Sequence, residues 1–354
     1  MITIGVDFHK RTSTYNVRDE YGKQLKRSKL ENRPELIAGF LQEFPGPKRL
    51  AMEATRNWGL YYETVRPHVD EFLLGHPRRM KQITESQTKN DPKDADLICQ
   101  MALSPFFPKA YVSSLDSRQM RSLLRFRHFL VGQRKSIRNQ IQILLDRNLW
   151  PSQRPQNFKN PFCKRGLTWL RGVALPERER FILNGSLETF QQLSQQIADL
   201  ESFIEAQSLD HSDLPYLRRV PGFRKSKVNA YIVLFELVDI HRFRKAKNFA
   251  HYAGLIPSEH SSGDKHRTGR LVKEANHFLR TAFIESTFAA LRQDKVLKLY
   301  YQTVKERAGS GAAIIACARK LSYAVYHVLK SKTDYRPFNP SATTSHPLSV
   351  SAKG

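Results

Sequence analysis

The sequence predicts an α/β layer on a mixed sheet at the amino end, a central arm of long helices, and a mainly α carboxyl-terminal region. Three observations carry this. Residues 1–100 alternate β-branched runs with amphipathic stretches. Two later stretches space apolar side chains by three and four. Residues 211–332 read as helix, with a proline-glycine break near their start.

Taken in order, "ITIGVDF" is a short apolar strand, and "TSTYNVRDEYGKQLKRSKL" is two strands around the turn residues Asp19 to Gly22. "RPELIAGFLQEF" has helical periodicity, "KRLAMEAT" is a buried strand, and "NWGLYYETVRPHV" is a second helix. "DEFLLGH" is another strand and "DPKDADLICQMAL" starts a third helix, so strands and helices interleave as in an α/β layer with a mixed sheet. Phe126, Leu130, Gln133, Ile137, Gln140 and Leu144 then step as a heptad seam does, and Phe190, Leu193, Ile197, Leu200 and Ile204 repeat the pattern. These predict an antiparallel coiled-coil hairpin, a device suited to forming a dimer or tetramer. "WPSQRPQNFKNPFCKRG" between them reads as a linker. "LPYLRRVPGFRKSKVNAYIVLFEL" resembles a helix-hairpin-helix, in which backbone N–H groups and Arg219, Arg224, Lys225 and Lys227 are expected to meet nucleic-acid phosphates. From Lys332 the tail is rich in Pro, Ser and Thr and is expected to be disordered. The predicted domains are residues 1–112, an arm at 113–210 with its linker at 150–175, residues 211–331, and the tail at 332–354.

Lysine and arginine number 58 against 33 acidic residues, a formal charge of +25. That excess repels itself unless a polyanion shares the surface, and nucleic acid, binding by counterion release, is the expected one. No apolar run reaches the roughly 20 residues of a membrane span. Cys99, Cys163 and Cys317 form no C-x-x-C pair, so neither a zinc site nor a disulfide framework is supported. With a strand-like start in place of a secretory leader, the expectation is a cytoplasmic, nucleoid-associated protein.

"NDPKDAD" sets Asp91, Asp94 and Asp96 within six positions. A capping role accounts for much of this: Asp91 suits an N-cap, Pro92 the first helical position, and Asp94 a capping box. On a helix Asp91 and Asp94 share a face, about 300° apart around the axis, whereas Asp96 lies about 140° from Asp91. Two further acids end apolar strands: Asp7 in "ITIGVD" and Glu53 in "RLAME". A charge on a buried strand is seldom a packing choice. Two carboxylates about 5 Å apart repel by roughly 3 kcal/mol at an effective dielectric near 20, a cost a hard divalent cation removes. Acids on the first strand, on a neighbouring strand and as a late helical pair follow the pattern of RNase H and RuvC-like nucleases. Residues 1–105 resemble that fold in element order. Asp7, Glu53, Asp91 and Asp94 are therefore the expected magnesium (or manganese) ligands.

Downstream, a glycine and a proline bracket an expected loop in "AGLIPSEHSSGDKH" that holds Ser258, Ser261 and Ser262, followed by the basic residues Arg267, Arg270, Lys273 and Arg280. No G-x-S-x-G elbow is present, so acyl transfer is not indicated. Together "GVDFHK", "AMEAT", "KNDPKDADLI" and "AGLIPSEHSSGDKHRTGRLVKEANHFLR" resemble the transposases of the bacterial IS110 insertion-sequence family, related to the Piv invertases. The resemblance runs in order from Met1 to about Leu329. It implies a DEDD RuvC-like domain, a second domain with a catalytic serine, and a bridge RNA that pairs with donor and target DNA. It assigns Asp7, Glu53, Asp91 and Asp94 to the acids and Ser262 to the serine before glycine, with Ser261 as the neighbouring alternative. "PGFRKSKVNA" replaces the family's more usual P-G-I-G turn, and "SGDK" stands for SGGK.

The expected activity is thus DNA recombination through a serine-phosphate link beside a magnesium site, in a homo-oligomer working with DNA and a guide RNA. The rivals are a RuvC-like nuclease that uses water, and a non-catalytic nucleic-acid binder on the same scaffold.

Overall fold

The computed structural model describes residues 1–83, 91–155, 160–224, 227–262, 265–272 and 275–337; for residues 82–83, 91–93, 151, 258–262 and 265–270 the backbone alone is described. The chain divides into two compact units, Met1–Leu115 and Asp116–Gly354.

In the first unit, β1 (Ile2–Phe8), β2 (Thr12–Arg18) and β3 (Gln24–Glu31) form an antiparallel meander. The Asp19 carboxylate accepts the Tyr21 and Lys23 amides at 3.0 and 2.9 Å, and Gly22 takes φ +85°, which closes the β2–β3 turn. After α1 (Pro34–Gln42), β4 (Lys48–Glu53) pairs parallel to β1; after α2 (Trp58–Val65), β5 (Glu71–Gly75) pairs parallel to β4. The sheet order is β3-β2-β1-β4-β5, a mixed sheet as expected. α3 (Pro77–Ile83) and α4 (Asp91–Leu103) complete the unit. α3 is a helix that the sequence reading did not anticipate.

Alternation along the strands divides the core in two. Ile4, Val6, Leu50, Met52 and Leu74 pack with Ile37, Phe40, Leu41, Tyr61 and Val65 of α1 and α2. On the opposite face Ala51 and Leu73 pack with Ile98, Met101 and Ala102 of α4. That face needs small residues. A Cβ on Gly5 would lie 2.3 Å from the Ala95 carbonyl oxygen and 2.5 Å from the Cys99 amide, so only glycine lets α4 sit this close to β1.

In the second unit, α5 (Leu115–Asn148), α6 (Lys164–Gly172) and α7 (Glu177–Ser208) come first. Arg127 of α5 meets Glu201 of α7 at 2.6 Å, and Leu144 clusters with Leu183 and Leu187, so the long helices run antiparallel. Leu130, Leu144, Phe190, Ile197 and Ile204 of the expected seam are buried, but Phe126 is 52% exposed and stacks on exposed Phe129. The expected linker at 150–175 is only partly irregular, because α6 lies in it with Cys163 Sγ accepting the Gly166 amide at 3.4 Å.

Then follow α8 (Leu214–Arg219), α9 (Lys227–Leu237), α10 (Ala246–Tyr252), β6 (Pro257–Ser262), β7 (Lys265–Leu271), α11 (His277–Gln293) and α12 (Lys295–Ser331). β6 and β7 pair antiparallel, so this otherwise helical region carries one β-hairpin. Every residue from Asn229 to Leu237 is buried, which makes α9 the axis of the largest core, around Phe223, Phe249, Phe283 and Leu321. α12 breaks at Gly309, where φ is +81°. At the start of the tail Lys332 pairs with Asp213, Asp334 with Arg219, and the Tyr335 hydroxyl donates to Asp294; residues 338–354 lie outside the described residues. Among the described residues no helix is long and apolar enough to cross a membrane.

Candidate functional site

β1 and β4 are adjacent and parallel, yet the chain leaves β1 toward β2 on one side and leaves β4 toward β5 on the other. Divergent exits open a crevice at the carboxyl ends of such strands. Phe8, His9, Lys10, Thr55, Arg56 and Asn57 line an open cleft of about 500 Å³ there.

Asp7 and Glu53 come just before these residues on the two strands. Val6 pairs with Met52, so the next residues, Asp7 one short of the end of β1 and Glu53 at the end of β4, lie side by side. By alternation both take the face of Gly5 and Ala51, the face that α4 covers. α4 runs antiparallel to β1: Ala102 O accepts from Arg49, which is level with Thr3; Cys99 Sγ bonds Thr3 O at 3.2 Å; and Ala95 approaches Gly5. From Gly5 to Asp7 the strand climbs about 6.6 Å, and from Ala95 back to Asp91 the helix climbs about 6 Å. The amino end of α4 therefore reaches the level of Asp7 and Glu53. Asp94 is half-buried there, and the Asp91 side chain lies outside the described residues. Among the described residues no group of three His, Cys, Asp or Glu side chains is close enough to hold a metal ion.

Asp7 Oδ2 lies 3.0 Å from His9 Nε2, with Asp7 17% and His9 49% exposed. His9, Lys10 and Arg56 were not singled out from the sequence. The available signal was position: they follow the strand-ending acids directly, in "DFHK" and "EATRN". Asp96 plays a different part. Arg18 Nη2 lies 2.6 Å from its Oδ1, and Gln100 donates to its Oδ2 at 2.9 Å.

The serine segment is not a loop. Ser258, Ser261 and Ser262 all lie on β6; Ser262 ends the strand opposite Lys265, and only Gly263 and Asp264, outside the described residues, separate the strands. Both strands are almost wholly polar, so no alternation of apolar residues marked them. Arg267 and Arg270 are on β7 with their side chains outside the described residues, as Lys273 is entirely.

Two expected phosphate contacts take other partners. Arg280 Nε donates to Gly254 O at 3.0 Å and Nη2 to Val272 O at 2.5 Å, which clamps the two ends of the hairpin together. A Cβ on Gly254, whose φ is +67°, would lie 2.3 Å from that guanidinium. In the α8–α9 turn, the Gly222 amide donates inward to Gln293 Oε1 at 3.2 Å, and a Cβ there would lie 2.3 Å from Ser286 O. This amide therefore faces α11. Arg219 pairs with Asp334 and Lys227 with Glu205; Arg224 is exposed, and Lys225 lies outside the described residues.

Two family models match the chain. The DEDD transposase model of IS110 type, described as "Transposase", matches residues 4–149, and the model described as "Transposase IS116/IS110/IS902 family" matches residues 215–302. A "Probable family 20 transposase" of Pseudomonas aeruginosa is 25% identical over 94% of this chain and 98% of its own length. The "Transposase for insertion sequence element IS1111A" of Coxiella burnetii is 25% identical over 94% of this chain and 91% of its own. An "Insertion element IS110 uncharacterized 43.6 kDa protein" of Streptomyces coelicolor is 28% identical over 40% of this chain and 35% of its own. These matches make the chain a transposase, with one model covering most of the mixed-sheet unit and the other lying in the helical unit. The chain belongs to the IS110 family of transposases.

Proposed function

We propose that this transposase cuts and joins DNA through a phosphoserine intermediate, with Ser262 as nucleophile and Asp7, Glu53, Asp91 and Asp94 as the ligands of a divalent ion. The observation that carries this reading is the neighbouring placement of Asp7 and Glu53 near the carboxyl ends of β1 and β4, on the face whose helix begins at Asp91 with Asp94 in its first turn. The sheet order supports an RNase H or RuvC-like assignment for this unit.

Four carboxylates form an all-oxygen donor set, which suits magnesium or manganese rather than zinc. Such an ion supplies Lewis acidity to a phosphate oxygen when bound. The chain's own residues do the rest. Ser262 Oγ attacks phosphorus and loses its proton to solvent; the bond from phosphorus to one DNA oxygen breaks, and that oxygen departs as a hydroxyl. The phosphoserine ester conserves the bond energy, so attack by another DNA hydroxyl re-forms a phosphodiester and frees the serine. Arg267, Arg270 and Lys273 offset phosphate charge. The reading requires the two units, from one chain or from two copies, to meet on one phosphate. This gives the α5–α7 arm a role in forming a dimer or tetramer. The charge of +25 supports DNA and a structured guide RNA as joint partners, with the protein nucleoid-associated in the bacterial cytoplasm.

The test is a denaturing gel of protein mixed with labelled element-end DNA, guide RNA and magnesium. Wild type and Ser261→Ala should give a covalent adduct, and Ser262→Ala none. An adduct that persists in Ser262→Ala refutes the assignment. Cleavage to free ends with no adduct in any variant identifies a water-using nuclease instead.

A further inference from the structure

Glu236 is out of place by composition. It lies in "NAYIVLFEL", an apolar helix with no solvent face, and it is 1% exposed. A buried carboxylate must be partnered, and its partners come from distant parts of the second unit. Arg125 of α5 grips it in two places, Nε to Oε1 at 2.8 Å and Nη2 to Oε2 at 2.9 Å. Asn276 Nδ2 donates to Oε2 at 2.8 Å.

Asn276 connects this pair to the serine hairpin. Its Oδ1 accepts the Phe278 and Leu279 amides, both at 3.1 Å, as the N-cap of α11, while its own amide donates to Tyr252 O at 2.9 Å. Arg125 also lies over the Phe278 ring, 4.9 Å from its centroid. One turn further along α11, Arg280 holds Gly254 O and Val272 O, one at each end of the β6–β7 hairpin. The root of the hairpin is thus held by Arg280 of α11, and the N-cap of that helix, Asn276, is tied through Glu236 to α5.

We infer that Glu236 is a positioning residue: it sets the register of the hairpin bearing Ser262 against the long helix α5. Displacement of α5 would then move the serine strand. The functional consequence rests on Ser262 being the nucleophile; the mechanical tie does not.

Hydrogen exchange of the full-length protein, read by mass spectrometry, tests the tie without chemistry. Glu236→Gln keeps the shape but loses the charge; Asn276→Ser keeps a capping oxygen but cannot reach Glu236. Both should speed exchange at least ten-fold in the hairpin segment 254–276 and leave α12 protected. At saturating DNA both should lower the rate of adduct formation at least ten-fold with DNA affinity unchanged. Should a single variant loosen the whole unit, the paired variant Arg125→Met with Glu236→Met decides, because an apolar pair restores packing without reaching Asn276. Recovery of melting temperature with the hairpin still unprotected supports positioning. Recovery of both, or unchanged hairpin exchange in the single variants, overturns it. If wild type forms no adduct while hairpin exchange follows Glu236, the serine assignment fails and the tie stands.

Discussion

Arg18 and Asp96, 78 positions apart, join β2 to α4: Arg18 Nη2 and Nε lie 2.6 and 3.1 Å from one carboxylate oxygen. The pair decides which side of α4 turns to the sheet. Asp94, about 200° away around the helix, is thereby turned from Arg18. Two aspartates two residues apart are divided between structure and proposed chemistry.

That division predicts opposite phenotypes. Asp96→Asn should cost about 1–3 kcal/mol of stability, the range for a charge-assisted contact, and leave magnesium-dependent cleavage by the folded protein near wild type. Asp94→Asn should change stability by no more than about 0.5 kcal/mol and lower cleavage at least 100-fold. Urea unfolding with a cleavage assay on both variants checks this; equal cleavage by the two would remove Asp94 from the site.

Gly5→Ala should destabilise the first unit by about 1–3 kcal/mol, since its methyl group meets the α4 backbone, which cannot rotate away as a side chain would. Because α4 must move, cleavage should fall more than the folded fraction does. Thermal unfolding and activity measured at the same temperature would show it. Wild-type behaviour would mean that α4 packs elsewhere.

Lys10 and Arg56 line the cleft at the carboxyl ends of β1 and β4. If a nucleic-acid backbone lies there, Lys10→Ala and Arg56→Ala should each flatten the slope of log affinity against log salt by about 1. A filter-binding series across salt concentrations measures it, and an unchanged slope places the backbone off this cleft.

The cysteines should differ in reactivity. Burial pushes the thiols of Cys99 and Cys317 up to about 12, so both stay protonated and shielded at pH 8. Cys163 is partly exposed at the start of α6. Brief alkylation of native protein at pH 8 should label Cys163 and spare the other two until denaturant is added; peptide mapping reads the result.

The first unit was legible because its strands carry apolar residues in runs and its turns carry Asp19 and Gly22. The hairpin at 257–271 was not, since "PSEHSS" and "KHRTGRL" bury no alternating apolar face and read as loop. Arg280 read as a phosphate contact because a basic segment surrounds it; its carbonyl partners, Gly254 and Val272, are contributed by the chain on either side of the hairpin. Glu236 is an acid inside an apolar helix, and that anomaly in the sequence is the signal for the Arg125 and Asn276 network.

By itself the sequence determined the order of the strands and of every helix but α3 in the first unit, the basic character of the chain, and the acids near the ends of its apolar strands. These follow from side-chain chemistry and spacing within a few residues. Only the tertiary structure decided which charges are partnered: Asp96 by Arg18, Glu236 by Arg125, Arg280 by two carbonyls. A charge's partner depends on where the chain returns many residues later, and no local pattern encodes that distance.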